Sequence, residues 1–140
     1  QIINNLSALE ELITKLMSLK GQTEYVSIDT ETTDLNPFKA ELVGIGVCWG
    51  EGLDELAYVP VGHKSQENLS EVDRDPLIQL SLEEVVNSFE KWLGSDEHLK
   101  VLQNAKYDRL IFLRHGLELK GVITDTLLAD YLLDSNSKPV

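Results

Sequence analysis

Apolar residues recur along this chain at two different periods, and the switches between them mark its elements. From about residue 5 to 19, Leu6, Leu9, Leu12, Ile13, Leu16 and Met17 repeat at helical spacing. Ser7 followed by Glu10 predicts a capping box for that helix, with Lys15 and Lys20 near its C-terminal end and Gly21 as its stop. Tyr25-Val26-Ser27-Ile28 then alternates at a period of two and predicts a strand over 25–30. A loop containing Asn36-Pro37 leads to a second strand, Leu42 to Trp49. Gly44 and Gly46 share one of its faces, which predicts close packing by a neighbour. Gly50-Glu51-Gly52 turns the chain into a third strand, Glu55 to Val61.

Residues 62 to 80 are polar and irregular and read as a surface excursion. The helical period returns with Leu82, Val85, Val86, Phe89, Trp92 and Leu93, opened by a Ser81/Glu84 capping box and closed by Gly94. A short strand from Lys100 to Gln103, a helix from Lys106 to His115 ending at Gly116, and a segment from 117 to 123 containing a strand come next. Asp125 to Leu133 is the last helix, with Asp125 at its positive end. An antiparallel meander followed by crossover helices predicts an α/β domain with a mixed sheet flanked by helices.

Composition narrows this picture without redirecting it. The 140 residues are 42% apolar and 26% charged, enough for one domain with its own core. No apolar stretch is long enough to span a bilayer. The single cysteine, Cys48, excludes an internal disulfide and a thiolate metal cluster, and it reads as a small buried hydrophobe. The charge is more informative. With 24 acidic against 12 basic residues, the net charge of -12 argues against a broad footprint for duplex DNA or anionic lipid. It is compatible with a nuclease, whose carboxylates hold metal ions.

The candidate chemistry sits where the first strand ends, in Asp29-Thr30-Glu31-Thr32-Thr33-Asp34. Alternation puts Asp29 and Glu31 on one face, opposite Ile28. Hard divalent cations such as Mg²⁺ and Mn²⁺ take carboxylate oxygens, so the pair is a candidate metal site; two solvated surface acids are the plainer alternative. A second candidate is Gln103-Asn104-Ala105-Lys106-Tyr107-Asp108, which leaves a strand and enters a helix. Asp108 falls in the first helical turn, where the dipole steadies an anion. Asn104 as a helix cap, Tyr107 as core and Asp125 as a cap of the last helix are the corresponding plain readings. His63, His98 and His115 share no metal-ligand spacing.

These segments together resemble the 3′→5′ exonuclease domain of bacterial family A DNA polymerases, within the DnaQ-like group with an Asp-Glu-Asp-Asp site. Asp29-Thr30-Glu31-Thr32 resembles the first exonuclease motif and Gln103 to Asp108 the second. Leu42-Val43-Gly44-Ile45, Ala57-Tyr58-Val59-Pro60-Val61-Gly62-His63 and Thr124-Asp125-Thr126-Leu127-Leu128 resemble the segments around them. The likeness runs over residues 22 to 136. It implies a ribonuclease H-like fold and a proofreading exonuclease domain over residues 1–140. It implies two divalent cations, Mg or Mn, with Asp29, Glu31 and Asp108 as ligands and catalytic residues. Thr32, Leu35, Asn104 and Tyr107 are the implied substrate contacts, Leu35 as an apolar wedge against the last base. Asp125 is implied to be structural. The implied partners are a single-stranded or frayed DNA 3′ end and a covalently linked polymerase module. No membrane, a monomer and a cytoplasmic, nucleoid-associated setting complete the expectation.

One departure is large. The third motif of the family, Tyr-x-x-x-Asp, does not occur in residues 1–140; Tyr131 with Ser135 gives Tyr-x-x-x-Ser and stands too early. The domain is therefore expected to be incomplete at its C-terminal side, and this stretch alone inactive or very weak. Two other readings stay open: an RNA-processing or repair exonuclease of the same superfamily, and a non-catalytic structural domain of a polymerase.

Overall fold

The computed structural model describes residues 1–64 and 78–136. Most of the polar excursion expected over 62–80 lies outside the described residues. Helix α1 (Leu6–Ser18) is followed by β1 (Tyr25–Thr32), β2 (Leu42–Cys48) and β3 (Leu56–Pro60). Then come α2 (Leu82–Leu93), β4 (Leu99–Leu102), α3 (Ala105–Arg114), β5 (Val122–Asp125) and α4 (Thr126–Leu133). The strands form one mixed sheet in the order β3-β2-β1-β4-β5. The β1–β2 and β2–β3 pairs are antiparallel, whereas β4 lies parallel to β1 and β5 parallel to β4. The α/β class, the mixed sheet and the antiparallel N-terminal meander are all as the periodicity predicts.

The alternation in β1 decides which face is covered. Val26 and Ile28 point into the core, where Ile45, Val47, Ala57, Val59 and Leu102 of the neighbouring strands join them. Helix α1 contributes Leu9, Leu12 and Leu16 to the same cluster. Helix α2 adds Val85, Phe89, Trp92 and Leu93, and α3 adds Ile111 and Phe112. On the other face Ser27, Asp29 and Glu31 are exposed. A register shift between Glu31 and Thr32 lets Leu42, opposite Thr32, turn into the core just beyond the exposed acids.

Several local expectations are corrected. The cap of α1 is Asn5, whose side chain accepts from Ala8 N at 3.0 Å, rather than a Ser7/Glu10 box. Both residue types cap well, and the one that takes the turn leaves Leu9, Leu12 and Leu16 facing the core. The last strand, Val122–Asp125, overlaps only the end of the 117–123 segment and runs on through Asp125. Of the two glycines of β2, Gly44 is closely packed, since a Cβ there would meet the Tyr58 ring. A Cβ at Gly46 would meet Asp29 O only at 4.0 Å, an ordinary contact. The Ser81/Glu84 box is present as expected.

A buried lysine was not expected at all. Lys100 is fully buried in β4, its ammonium 4.7 Å from the Trp92 ring centre and donating to Ser95 O at 3.1 Å and His98 O at 2.6 Å. Desolvation lowers its pKa to about 8, against a smaller opposing pull from Asp96. At the far edge of the sheet, α4 buries none of its residues and leaves Leu128, Tyr131, Leu132 and Leu133 exposed.

Candidate active site

The C-terminal half of β1 gathers the candidate residues. Asp29 pairs across the ladder with Gly46 and Glu31 with Gly44, so both carboxylates rise from the open face opposite residues without side chains. A hollow of about 530 Å³ lies over this face, lined among others by Ser27, Asp29, Gly46, Tyr58, Gln103 and Thr126. Strand alternation alone places the Asp29/Glu31 pair here, as the sequence predicts.

Asp108 reaches the same strand from the covered side. It stands in the first turn of α3, only 3% exposed, and Thr30 Oγ1 donates to its Oδ1 at 2.5 Å. Burial pushes its carboxyl up to about 6. The Thr30 hydrogen bond opposes this, while the charges of Asp29 and Asp125 add to it. Residues expected to act as one trio are thus divided, with Asp29 and Glu31 exposed and Asp108 engaged with Thr30 beneath them. Among the described residues, no three His, Cys, Asp or Glu side chains lie close enough together to hold one metal ion. The donor chemistry of Asp29 and Glu31 fits a hard divalent cation. Asp108 fits as a further ligand by its chemistry, since Thr30 engages only its Oδ1.

The loop after β1 is tied to α3 at two points. Tyr107 Oη donates to Asp34 O at 2.5 Å and lies 2.6 Å from Thr32 Oγ1. One helical repeat of seven residues further on, Arg114 donates to Pro37 O at 3.0 Å and to Ala40 O. Within this braced loop Leu35 is 94% exposed, which leaves it available as the expected apolar contact. Tyr107 packs partly buried against the core while its hydroxyl ties the loop, and Arg114 is a brace that no local pattern announces.

Asn104 starts α3 in the left-handed region, at φ 60°, and its side chain makes no cap bond. Asparagine tolerates that conformation better than most residues. The cap comes instead from Asp125, 21 residues on, whose carboxylate accepts from Asn104 N at 3.0 Å and Ala105 N at 2.8 Å. The same carboxylate caps α4 through Leu127 N and Leu128 N. Desolvation raises its pKa, but these four N–H donors outweigh it and hold the carboxyl below its ordinary value. The expected cap of one helix is in fact the cap of two.

A family model described as 3′-5′ exonuclease matches residues 1–138. DNA polymerase I of Synechocystis sp. is 41% identical over 133 residues, which is 95% of this chain and 12% of that protein. DNA polymerase I of Pseudomonas aeruginosa is 34% identical over 118 residues, 83% of this chain and again 12% of that protein. The chain therefore spans about an eighth of the length of these relatives. Among solved structures, RNase D of Trypanosoma brucei matches with a TM-score of 0.64 at 14% identity, over 91% of this chain and 37% of that one. The POL domain of Pol1 from M. smegmatis matches with a TM-score of 0.65 at 18% identity, over 98% and 20%. At such identities these structures establish the shared fold.

Proposed function

Since the chain belongs to the DnaQ-like 3′-5′ exonucleases, in the form that resembles the proofreading domain of family A DNA polymerases, we propose that the native protein carrying it hydrolyses a DNA strand from its 3′ end at this site and releases nucleoside monophosphates. The observation that carries this reading is the exposed Asp29/Glu31 pair on the open sheet face, with Asp108 entering beneath it from the start of α3. In this proposal Asp29, Glu31 and Asp108 would hold divalent cations, Mg or Mn. When bound, such ions would supply Lewis-acid activation of a water and charge stabilisation at the leaving 3′ oxygen.

The chain's own groups do the positioning. Leu35, presented by the loop that Tyr107 and Arg114 brace, lies against the terminal base, and Thr32 and Asn104 contact the strand. A single strand suits this site because the last bases must be accessible. With a net charge of -12, cations at the two carboxylates would offset their repulsion of an incoming phosphate. The preference for DNA is supported by sequence, through the DNA polymerase I relatives.

A second reading, an RNA 3′ end, is supported by the fold. RNase D of Trypanosoma brucei, solved in complex with RNA U12, shares the architecture with a TM-score of 0.64. Both readings are tested by following monophosphate release from end-labelled single-stranded DNA and RNA of one sequence, in the full native chain with Mg²⁺ or Mn²⁺. Faster release from DNA, lost in Asp29→Ala, is expected. Faster release from RNA selects the second reading, and wild-type release by Asp29→Ala overturns the site.

A further inference from the structure

The histidine that follows β3 has no role in the site described so far, yet the structure ties it to that site through a tyrosine. Tyr58 of β3 pairs with Gly46 and so shares the open face with Asp29 and Glu31. Its ring leans along the sheet over Gly44. A Cβ at Gly44 would lie 2.1 Å from Tyr58 Oη, and Gly44 is the residue paired with Glu31. The missing side chain at 44 is what allows a phenol to stand next to Glu31. The charge of Glu31 acts on that phenol, after burial, to raise its pKa.

The phenol oxygen is also held in place. Tyr58 Oη and His63 Nε2 are 2.7 Å apart, and the two rings meet edge-on at 68° with centroids 5.8 Å apart. His63 is fixed in turn by Gln79. His63 N donates to Gln79 Oε1 at 3.1 Å, and Gln79 Nε2 donates to His63 O at 2.8 Å. An exposed hydrogen bond of this kind adds little to stability, so His63, itself pinned by Gln79, holding one hydroxyl beside a functional carboxylate points to a use for the hydroxyl.

We propose that Tyr58 is a substrate-contacting residue and His63 a positioning residue that acts through it. With His63 Nε2–H donating to the phenol oxygen, the phenol proton is left to donate to a non-bridging phosphate oxygen of the strand bound beside Glu31. This rests on the exonuclease reading of Asp29 and Glu31.

The test uses the full native chain and two readouts: kcat and KM for hydrolysis of a single-stranded oligodeoxynucleotide, and anisotropy binding of the same oligonucleotide in EDTA. A hydrogen bond to a charged group is at stake. Tyr58→Phe is therefore expected to weaken metal-free binding and raise KM by about tenfold, with the urea midpoint unchanged. His63→Leu should fall in the same direction. His63→Gln, whose side-chain amide places an N–H near the position of Nε2, should recover most of the loss. The inference is overturned if Tyr58→Phe binds and cleaves as wild type does, or if His63→Gln falls as far as His63→Leu. Either result alongside an inactive Asp29→Ala overturns it alone and leaves the exonuclease site standing, whereas hydrolysis that survives Asp29→Ala removes the reading beneath it.

Discussion

The two faces of the sheet are made by the same strands and differ in almost everything else. On the covered face the alternate residues Val26, Ile28, Ile45, Val47, Ala57 and Val59 meet α1, α2 and α3 in one core cluster. On the open face Ser27, Asp29 and Glu31 stand exposed, opposite Gly44 and Gly46. A pleated strand lets a chain separate its tasks by parity. Hydrophobic burial acts on one set of positions, and the other set is free to hold like charges that would destabilise a core. Asp108 stands between the two, because it comes from a covered-side helix and carries a carboxylate into partial dehydration.

If the covered face carries the stability, its substitutions should be the costliest. Phe89 is fully buried and meets Trp92 edge-on at 6.1 Å. Phe89→Ala should cost about 3–5 kcal/mol, a large share of the stability of a small domain. Phe89→Leu should cost far less. Urea titration of both measures this, and equal losses would show that the site is not tightly packed.

The open face should respond in the opposite sense. Asp29→Ala is expected to reduce nucleotide release at least about 100-fold, since losing even an outer partner of a metal ligand costs 10–100-fold. Its stability should stay within about 0.5 kcal/mol of wild type, as for other exposed positions. A variant that loses activity by unfolding would break the division between the faces.

How far each face is legible in the sequence depends on the range of the forces involved. Period-two alternation is local, so the exposure of Asp29 and Glu31 and the burial of Ile28 follow from neighbours alone. The Ser81/Glu84 box spans three residues and is equally readable. Lys100 is not. Its surroundings Leu99-Lys100-Val101-Leu102 suggest a solvated lysine, but parity with Val26 turns it inward, where only the fold supplies the carbonyls of Ser95 and His98 and the ring of Trp92. Asp125 capping a helix that starts 20 residues earlier, Arg114 bracing the loop at Pro37 and Ala40, and Tyr58 lodged over Gly44 are likewise meetings of distant segments. The same limit applies to the three carboxylates. Motif spacing brings them to one strand but does not reveal that Asp108 is bonded to Thr30.

Two aspartates at the start of α3 carry the contrast to a finer scale. Asp125 accepts from four backbone N–H groups across two helices, so Asp125→Ala should cost about 1–2 kcal/mol, toward the upper end for the loss of a cap. Its folded pKa is lowered from 3.8, so this stability is present above that value and is lost as pH falls through the lower, folded one. A denaturation midpoint that Asp125→Ala leaves unmoved at pH 7 would mean that water replaces the carboxylate at both helix ends.

Asp108 has the reverse sign. Its carboxyl rises from 3.8 to about 6, chiefly through burial. Between those values the folded protein keeps a proton that the unfolded chain has released. The stability this provides is complete below about pH 4 and is lost as pH rises through about 6. In metal-free buffer the wild type should therefore lose part of its stability between pH 4 and pH 7. Asp108→Asn keeps an acceptor for Thr30 Oγ1 but cannot ionise, so it should be stabilised relative to wild type at pH 7 and much less at pH 4. Urea midpoints of the two proteins across that range test this. Parallel curves would mean that water reaches Asp108 as freely as it reaches Asp29, and that the covered side of β1 is not dry at this point.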